Sequence, residues 1–518
     1  MAKQLLSQAI SAPAFYGVNT QESGVTLQEG FAVRADNAVI DKYGRLGARK
    51  GRDLLTKTLS LVEDDNVAVD LQGVSNFKNM AGVDTLISWS DTTFYTGTTD
   101  LTPITPVGTV TAPVKGNWQS ATLFDKHFFF QRGYIPLCYT GGTTPTLVPV
   151  TASANYDGTV RQCNTVLAAY GRLWAADTEE NKTIVYFTNI LEGSEWGSGT
   201  SGSLDISSVL TSGMDEIVSL GAHNGYLIIF CKNNIIIYGD TDNFQHTISA
   251  RALTLVEVIE GVGCIARDSV QNTGTDILFL SNTGIRSLNR TVQEKSQPMR
   301  DISKNVRDDV LTSLTNQDTS QIKSVYSPID ALYLITFPLA KMTYCFDTRM
   351  PLEDGSLRAT FWPNFLPNGY LAVNNLVYFA GIDGVESYVG HKDLGQPYTM
   401  EYYSNYFDLG QPNISKIVKR ISSTTVGTSG QVFTLRIGYD YSNTYFTYPF
   451  TLDIGSVTEY GAAEYGVAEY VGTIQINNQS ANCQGAGSII QIGFSVVVNG
   501  GPFSLQRISL YAKQGKVI

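Results

Sequence analysis

Seven times along this chain a short apolar run, a polar turn and a second apolar run follow one another. The units are Thr85 to Tyr95, His127 to Leu137, Arg172 to Phe187, Gly221 to Asp240, Thr275 to Leu288, Ala331 to Phe346 and Asn375 to Tyr388. In the clearest of them, GAHNGYLIIFCKNNIIIYGD, the run Tyr226 to Cys231 and the β-branched run Ile235 to Tyr238 flank the turn residues Lys232-Asn233-Asn234, the pattern of a hairpin. The run shows no in/out alternation, so both of its faces are expected to be buried. Counting the fourth unit from Gly225, the starts are spaced by 42, 45, 53, 50, 56 and 44 residues. That is the spacing of propeller blades, whose sheets pack face to face around an axis and cover their central strands on both sides. Chance spacing in an ordinary β-sandwich is the competing reading.

Composition agrees with an all-β chain: 43% hydrophobic and only 16% charged residues, with 48 Gly and 28 Tyr. Residues 61–399 are expected to form a β-propeller of about seven blades, with six as the alternative count. A helical insertion is expected near 300–314, where Ile302, Val306, Val310 and Leu314 form a stripe. Residues 1–60 are expected to close the ring in part, by adding a strand to the blade at Asn375 to Tyr388. Within them Phe31 to Ile40 reads as a helical turn, and the basic stretch Leu46 to Thr58 as an extended segment suited to an acidic partner. From Met400 the period stops, and residues 400–518 are expected to form a separate, β-sandwich-like C-terminal domain ending in a hairpin of Ser488 to Val498 with Phe503 to Ala512. Limited proteolysis is then expected to cut near Met400.

Chemistry is sparse. The four histidines, His127, His223, His246 and His391, lie in different units, and no metal, nucleotide or nucleophile motif surrounds them. The six cysteines are scattered without CxxC spacing and read as buried free thiols in a reducing compartment. No catalytic residue, metal ligand or cofactor is expected. Paired carboxylates could still converge at a propeller axis from different blades. The first residues make a poor signal peptide, and no run reaches membrane-spanning length, which favours retention in a cytosol.

One low-complexity stretch stands apart. In EYGAAEYGVAEYVG the pairs Glu459-Tyr460, Glu464-Tyr465 and Glu469-Tyr470 recur every five residues, a period of neither helix nor strand, and are expected to form an interaction loop. The surrounding segment Ile437 to Gln506 holds five acids and no Lys or Arg, within a chain of net charge -11. Such a segment repels duplex DNA, so it is expected to face a lumen or a distal rim, with no measurable DNA affinity at physiological salt.

Three stretches resemble the tail nozzle proteins of short-tailed bacteriophages, also called tail tubular protein B or the tail hub. These are RADNAVIDKYGRLGARKG, TGIRSLNRTVQEKSQPMRDISKNVRDDV, and EYGVAEYVG followed by GGPFSLQRISLYAKQGKVI. The resemblance implies a non-enzymatic virion protein assembled in a host cytoplasm, with six copies in a ring below the portal and adaptor. It implies a channel for genome exit, with DNA present in transit and not tightly bound, and fibres or spikes attached nearby. It assigns no catalytic residue. The alternative is a glycan-binding or glycan-cleaving propeller of a receptor-binding apparatus, with Trp118, Trp196 and Trp362 stacking on sugars.

Overall fold

The computed structural model describes residues 5–56, 70–106, 116–142, 146–150, 161–197, 199–210, 214–240, 253–294, 301–452 and 474–517. Each of the seven expected hairpins coincides with two adjacent antiparallel strands. The chain is a β-propeller. Six of its blades are sheets of their own, beginning at Gly73–Lys78, Gln119–Leu123, Thr165–Ala169, Ile217–His223, Gln271–Asn272 and Gly369–Val373. The ring position before the last of these is filled by four strands, Lys323–Ser327, Leu332–Phe337, Met342–Asp347 and Arg358–Pro363, which belong to a ten-stranded sheet.

A separate apolar cluster fills each joint between most neighbouring blades. The double burial expected of Tyr226–Cys231 is met from Leu227 onward, while Tyr226 is exposed: Leu227, Ile229 and Cys231 point into the cluster shared with Trp174 of the preceding blade. Ile228 and Phe230 point into the one shared with Phe279 of the following blade. Alternate residues thus face different neighbours, which is why the run carries no polar position.

The ring closes as expected. Asp53–Leu54 pairs antiparallel with Gly384–Ser387, and Leu71 and Val74 of the first blade share a cluster with Ala380 and Val385 of the last. Gly51 leads into the closing strand where the backbone amide donates to Gly390 O at 2.9 Å, and a Cβ there would lie 1.9 Å from Lys392 O. The acidic partner of the basic stretch is the chain itself. Arg49 pairs with Asp393 at 2.5 Å, Lys50 with Asp330 at 2.9 Å and Arg52 with Glu386 at 3.3 Å. The buried Arg49 guanidinium also lies 4.2 Å from the ring centre of Tyr398 and 4.7 Å from that of Phe365.

Several expectations are corrected. Phe31 to Ile40 is not a helical turn but two strands, Phe31–Asp36 and Ala38–Ile40, broken at Asn37 with φ 52°. The small residues Ala32, Ala35 and Ala38 are fully buried, and Phe31–Asp36 is inserted between Arg358–Pro363 and Tyr398–Phe407. The helix near 300–314 begins only at Arg307 and runs to Leu314 after a 3-10 turn, so Ile302 precedes it although its side chain is buried with Val306 and Val310.

The two last strands do not form a hairpin together. Ile490–Val498 pairs with Tyr398–Phe407 and Val432–Tyr439, while Phe503–Val517 pairs with Ile414–Thr428 and Leu5–Ser11. The turn between them passes the chain from one sheet to the other. These two sheets share one core, in which the Phe503 ring meets Phe494 at 5.2 Å and Phe433 at 5.8 Å. This second module is not built from residues 400–518 alone. It takes five strands from the first 48 residues and is hydrogen-bonded to the propeller through the ten-stranded sheet, so Met400 lies inside a continuous sheet.

Candidate functional site

The concave feature where most blades converge is an axial cavity of about 390 Å³, lined by the innermost strands of the ring. Gln72 and Ser75 reach it from the first blade, His127 from the second, Lys323 from the strands of the ten-stranded sheet and Tyr370 from the last blade. At one side a 3-10 turn, Arg267–Ser269, delivers a charged pair into it.

Arg267 grips its neighbour Asp268 with two bonds of 2.8 Å, from Nε to Oδ1 and from Nη2 to Oδ2. Lys323 Nζ donates to Asp268 Oδ2 at 2.5 Å and to Asn117 Oδ1 at 2.7 Å. Arg267 Nη1 continues to Asn164 O at 2.8 Å. Burial acts to raise the Asp268 carboxyl, yet the charges of Arg267 and Lys323 outweigh it and hold the group well below the usual carboxylate range. Burial lowers Lys323 against the opposing pull of Asp268. The arrangement spans the axis: Asn117 leads into the second blade, Asn164 into the third, Arg267 into the fifth, and Lys323 opens the ten-stranded sheet. It is a strut. Both cations donate to protein acceptors, and among the described residues Asp268 is the only carboxylate lining the cavity, whereas glycoside hydrolysis by the usual route needs two.

His127 also lines the cavity and is buried, with Nδ1 2.7 Å from Thr122 Oγ1 and Nε2 3.0 Å from Ser75 Oγ. It joins the first blade to the second. Burial lowers its pKa to about 3, which keeps it neutral and makes it a feeble base. The consequence is a stability that depends on acid. Below about pH 6.5 the unfolded chain takes up a proton on this imidazole that the folded chain refuses until about pH 3, so its contribution is complete above 6.5 and lost as pH falls. Chemical denaturation at pH 5 should show about 2 kcal/mol less stability from this group than at pH 8, at about 1.4 kcal/mol per unit. His127→Gln should remove that difference from the curve. An unchanged pH slope in the variant would contradict the assignment. Asp301 acts in the other direction, because burial raises it to about 6, so the comparison of variant with parent is what isolates His127.

The remaining expected groups are placed as follows. All six cysteines are free and five are buried, with burial raising Cys138, Cys264 and Cys483 to about 11. Trp118 and Trp362 are buried, and half-buried Trp196 packs on Phe130 at 5.9 Å. Glu459, Tyr460, Glu464, Tyr465, Glu469 and Tyr470 lie outside the described residues. Among the described residues no group of three or more His, Cys, Asp or Glu could hold a metal, and no helix is long and apolar enough to cross a membrane. The strut had no sequence signal: Arg267 and Asp268 are adjacent in no motif, and Lys323 lies far along the chain.

No family model matches the chain, and no curated protein matches it. Solved structures similar to it include BamB from Moraxella catarrhalis, with 9% identity over 74% of this chain and 97% of that one, at a TM-score of 0.38. PorZ of the Porphyromonas gingivalis type-IX secretion system has 12% identity over 68% of this chain and 42% of that one, at 0.35. An exo-β-1,3-galactanase from Phanerochaete chrysosporium has 8% identity over 90% of this chain and 100% of that one, at 0.26. The propeller itself rests on the hydrogen-bonded sheets described above.

Proposed function

We propose that this protein is a structural subunit of a short-tailed phage tail: a nozzle ring below the portal and adaptor that conducts and seals the genome and carries fibres or spikes. The observation that carries the reading is the fusion of the propeller to the second module. Strands from both ends of the chain lock the two into one ten-stranded sheet, which suits a part that transmits load without hinging. The braced axial cavity supports it, since its charged side chains Arg267, Asp268 and Lys323 are spent on the strut. The resemblance of the three sequence stretches supplies the tail, the six-fold ring and the adaptor as partner. The glycan reading gains nothing from buried Trp118 and Trp362 or from the one carboxylate that the described residues bring to the axial cavity.

Mass measurement of the pure protein, alone and with a portal–adaptor complex, tests the proposal. Six copies seated on the adaptor are expected. A monomer or trimer that ignores the adaptor and binds polysaccharide would overturn it.

A further inference from the structure

The chain is acidic overall, yet its seven-stranded sheet gathers six cations and no acid. The strands Leu5–Ser11, Ala38–Ile40, Leu46–Ala48, Ile414–Thr428, Ile474–Asn482, Ala486–Gly487 and Phe503–Val517 carry no Asp or Glu, while Lys416, Lys419, Arg420, Arg507, Lys513 and Lys516 all lie on them. The pairing places these residues in rows. Ser480, Ser422 and Ser509 stand side by side across three strands, and Asn478, Thr424 and Arg507 form the next such row. Arg420 stands opposite Tyr511, and Lys513 follows two residues further along that strand. Their alternate neighbours Ile421, Ile508, Leu510 and Ala512 are buried in the core, so these rows form the opposite face of the sheet. Arg420, Arg507 and Lys513 are exposed on it, and the two arginines line a shallow groove of about 240 Å³.

We infer that this face binds the phosphate backbone of nucleic acid without regard to sequence. Phosphate oxygens are contacted by Arg, Lys, Ser, Thr, Asn and Tyr side chains, the residue types that make up these rows. An acidic protein would also be attracted, but protein–protein interfaces are built around a buried core of aromatic and other apolar side chains and are depleted of Ser and Lys. This face has no such core. Interfaces with nucleic acid are more polar and far more positive, as it is. Serine hydroxyls already hold the two arginines in place: Arg420 Nη2 donates to Ser480 Oγ at 2.6 Å, and Arg507 Nε to Ser509 Oγ at 3.0 Å. One edge of each guanidinium is left for a ligand. Arg420 and Arg507 are separated by four residues of strand register, about 14 Å, so they meet different phosphates. The inference does not depend on the nozzle reading.

Three exposed cations set the expected strength. Affinity for duplex should fall with a log–log salt slope of about -2.7, roughly 500-fold per decade of salt, so binding is detectable near 20 mM and lost at physiological salt. The test is fluorescence anisotropy of the full chain with a labelled duplex of about 24 base pairs, from about 20 to 200 mM salt. Arg420→Gln with Arg507→Gln should cut the slope to about one third, and Arg420→Glu with Arg507→Glu should abolish binding while melting temperature stays that of the parent. Lys304→Gln, whose exposed amine pairs with Asp354 beside the propeller, should change nothing. Absence of binding at about 20 mM salt, or full binding by the glutamine variant, would overturn the inference. So would a preference for poly-glutamate over the duplex, which would mark the face as one for an acidic protein.

Discussion

Asp268→Ala should destabilise the protein by about 3–5 kcal/mol, because it leaves Arg267 and Lys323 buried beside the axis without their shared anion. Domains of this kind are held by about 5–15 kcal/mol, so the variant should melt many degrees lower or accumulate as aggregate. Asp268→Asn keeps the shape and one acceptor, and should fall between the two. A burdensome charge cluster can be replaced altogether: Arg267→Met, Asp268→Leu and Lys323→Met in one chain should restore stability close to that of the parent, since an apolar core of similar volume avoids the desolvation cost of three charges. Calorimetry on the set decides the matter. If Asp268→Ala melts with the parent, the strut is not a stabilising element.

Ile229→Asp should give no soluble folded protein, whereas Val256→Asp on the same blade should fold as the parent does. Ile229 is fully buried, paired between Leu220 and Ile236, and packed with Trp174, Ile217 and Leu227. A carboxylate there has no partner and costs several kcal/mol. Val256 lies on the outer strand, Leu253–Glu260, and is 52% exposed. Soluble expression and circular dichroism distinguish the outcomes. Normally folded Ile229→Asp protein would mean that the blades do not close upon one another at this joint.

The hairpins were legible because each is local. Two apolar runs joined by turn residues a few positions apart declare their pairing, and the run Tyr226–Cys231, buried on alternating sides by two neighbours, loses its polar positions for a physical reason visible in the letters. The closing strand was legible from the general need of a ring to cover its edges. What escaped was non-local. Nothing in Phe31–Asp36 announces that it will lie against Tyr398–Phe407, and its two buried alanines look like helix formers until a strand stands on either side. The same insertion joins propeller to second module and removes the domain boundary that the end of the repeat suggested at Met400.

Charge was read too coarsely. A charge count over residues 400–518 averages two sheets of different character, and only the strand pairing shows that the basic residues gather on one of them. A count per strand would have found it. The axial strut had no such signal, because adjacent Arg267 and Asp268 and distant Lys323 meet only once the blades are in place.

The central claim is a place in a virion tail, and its most direct measurement is electron microscopy of assembled short-tailed particles in which this chain carries a C-terminal label. Six labels arranged around the tail axis below the portal are the predicted result. Labels on peripheral fibres alone, or particles without the chain, would contradict it.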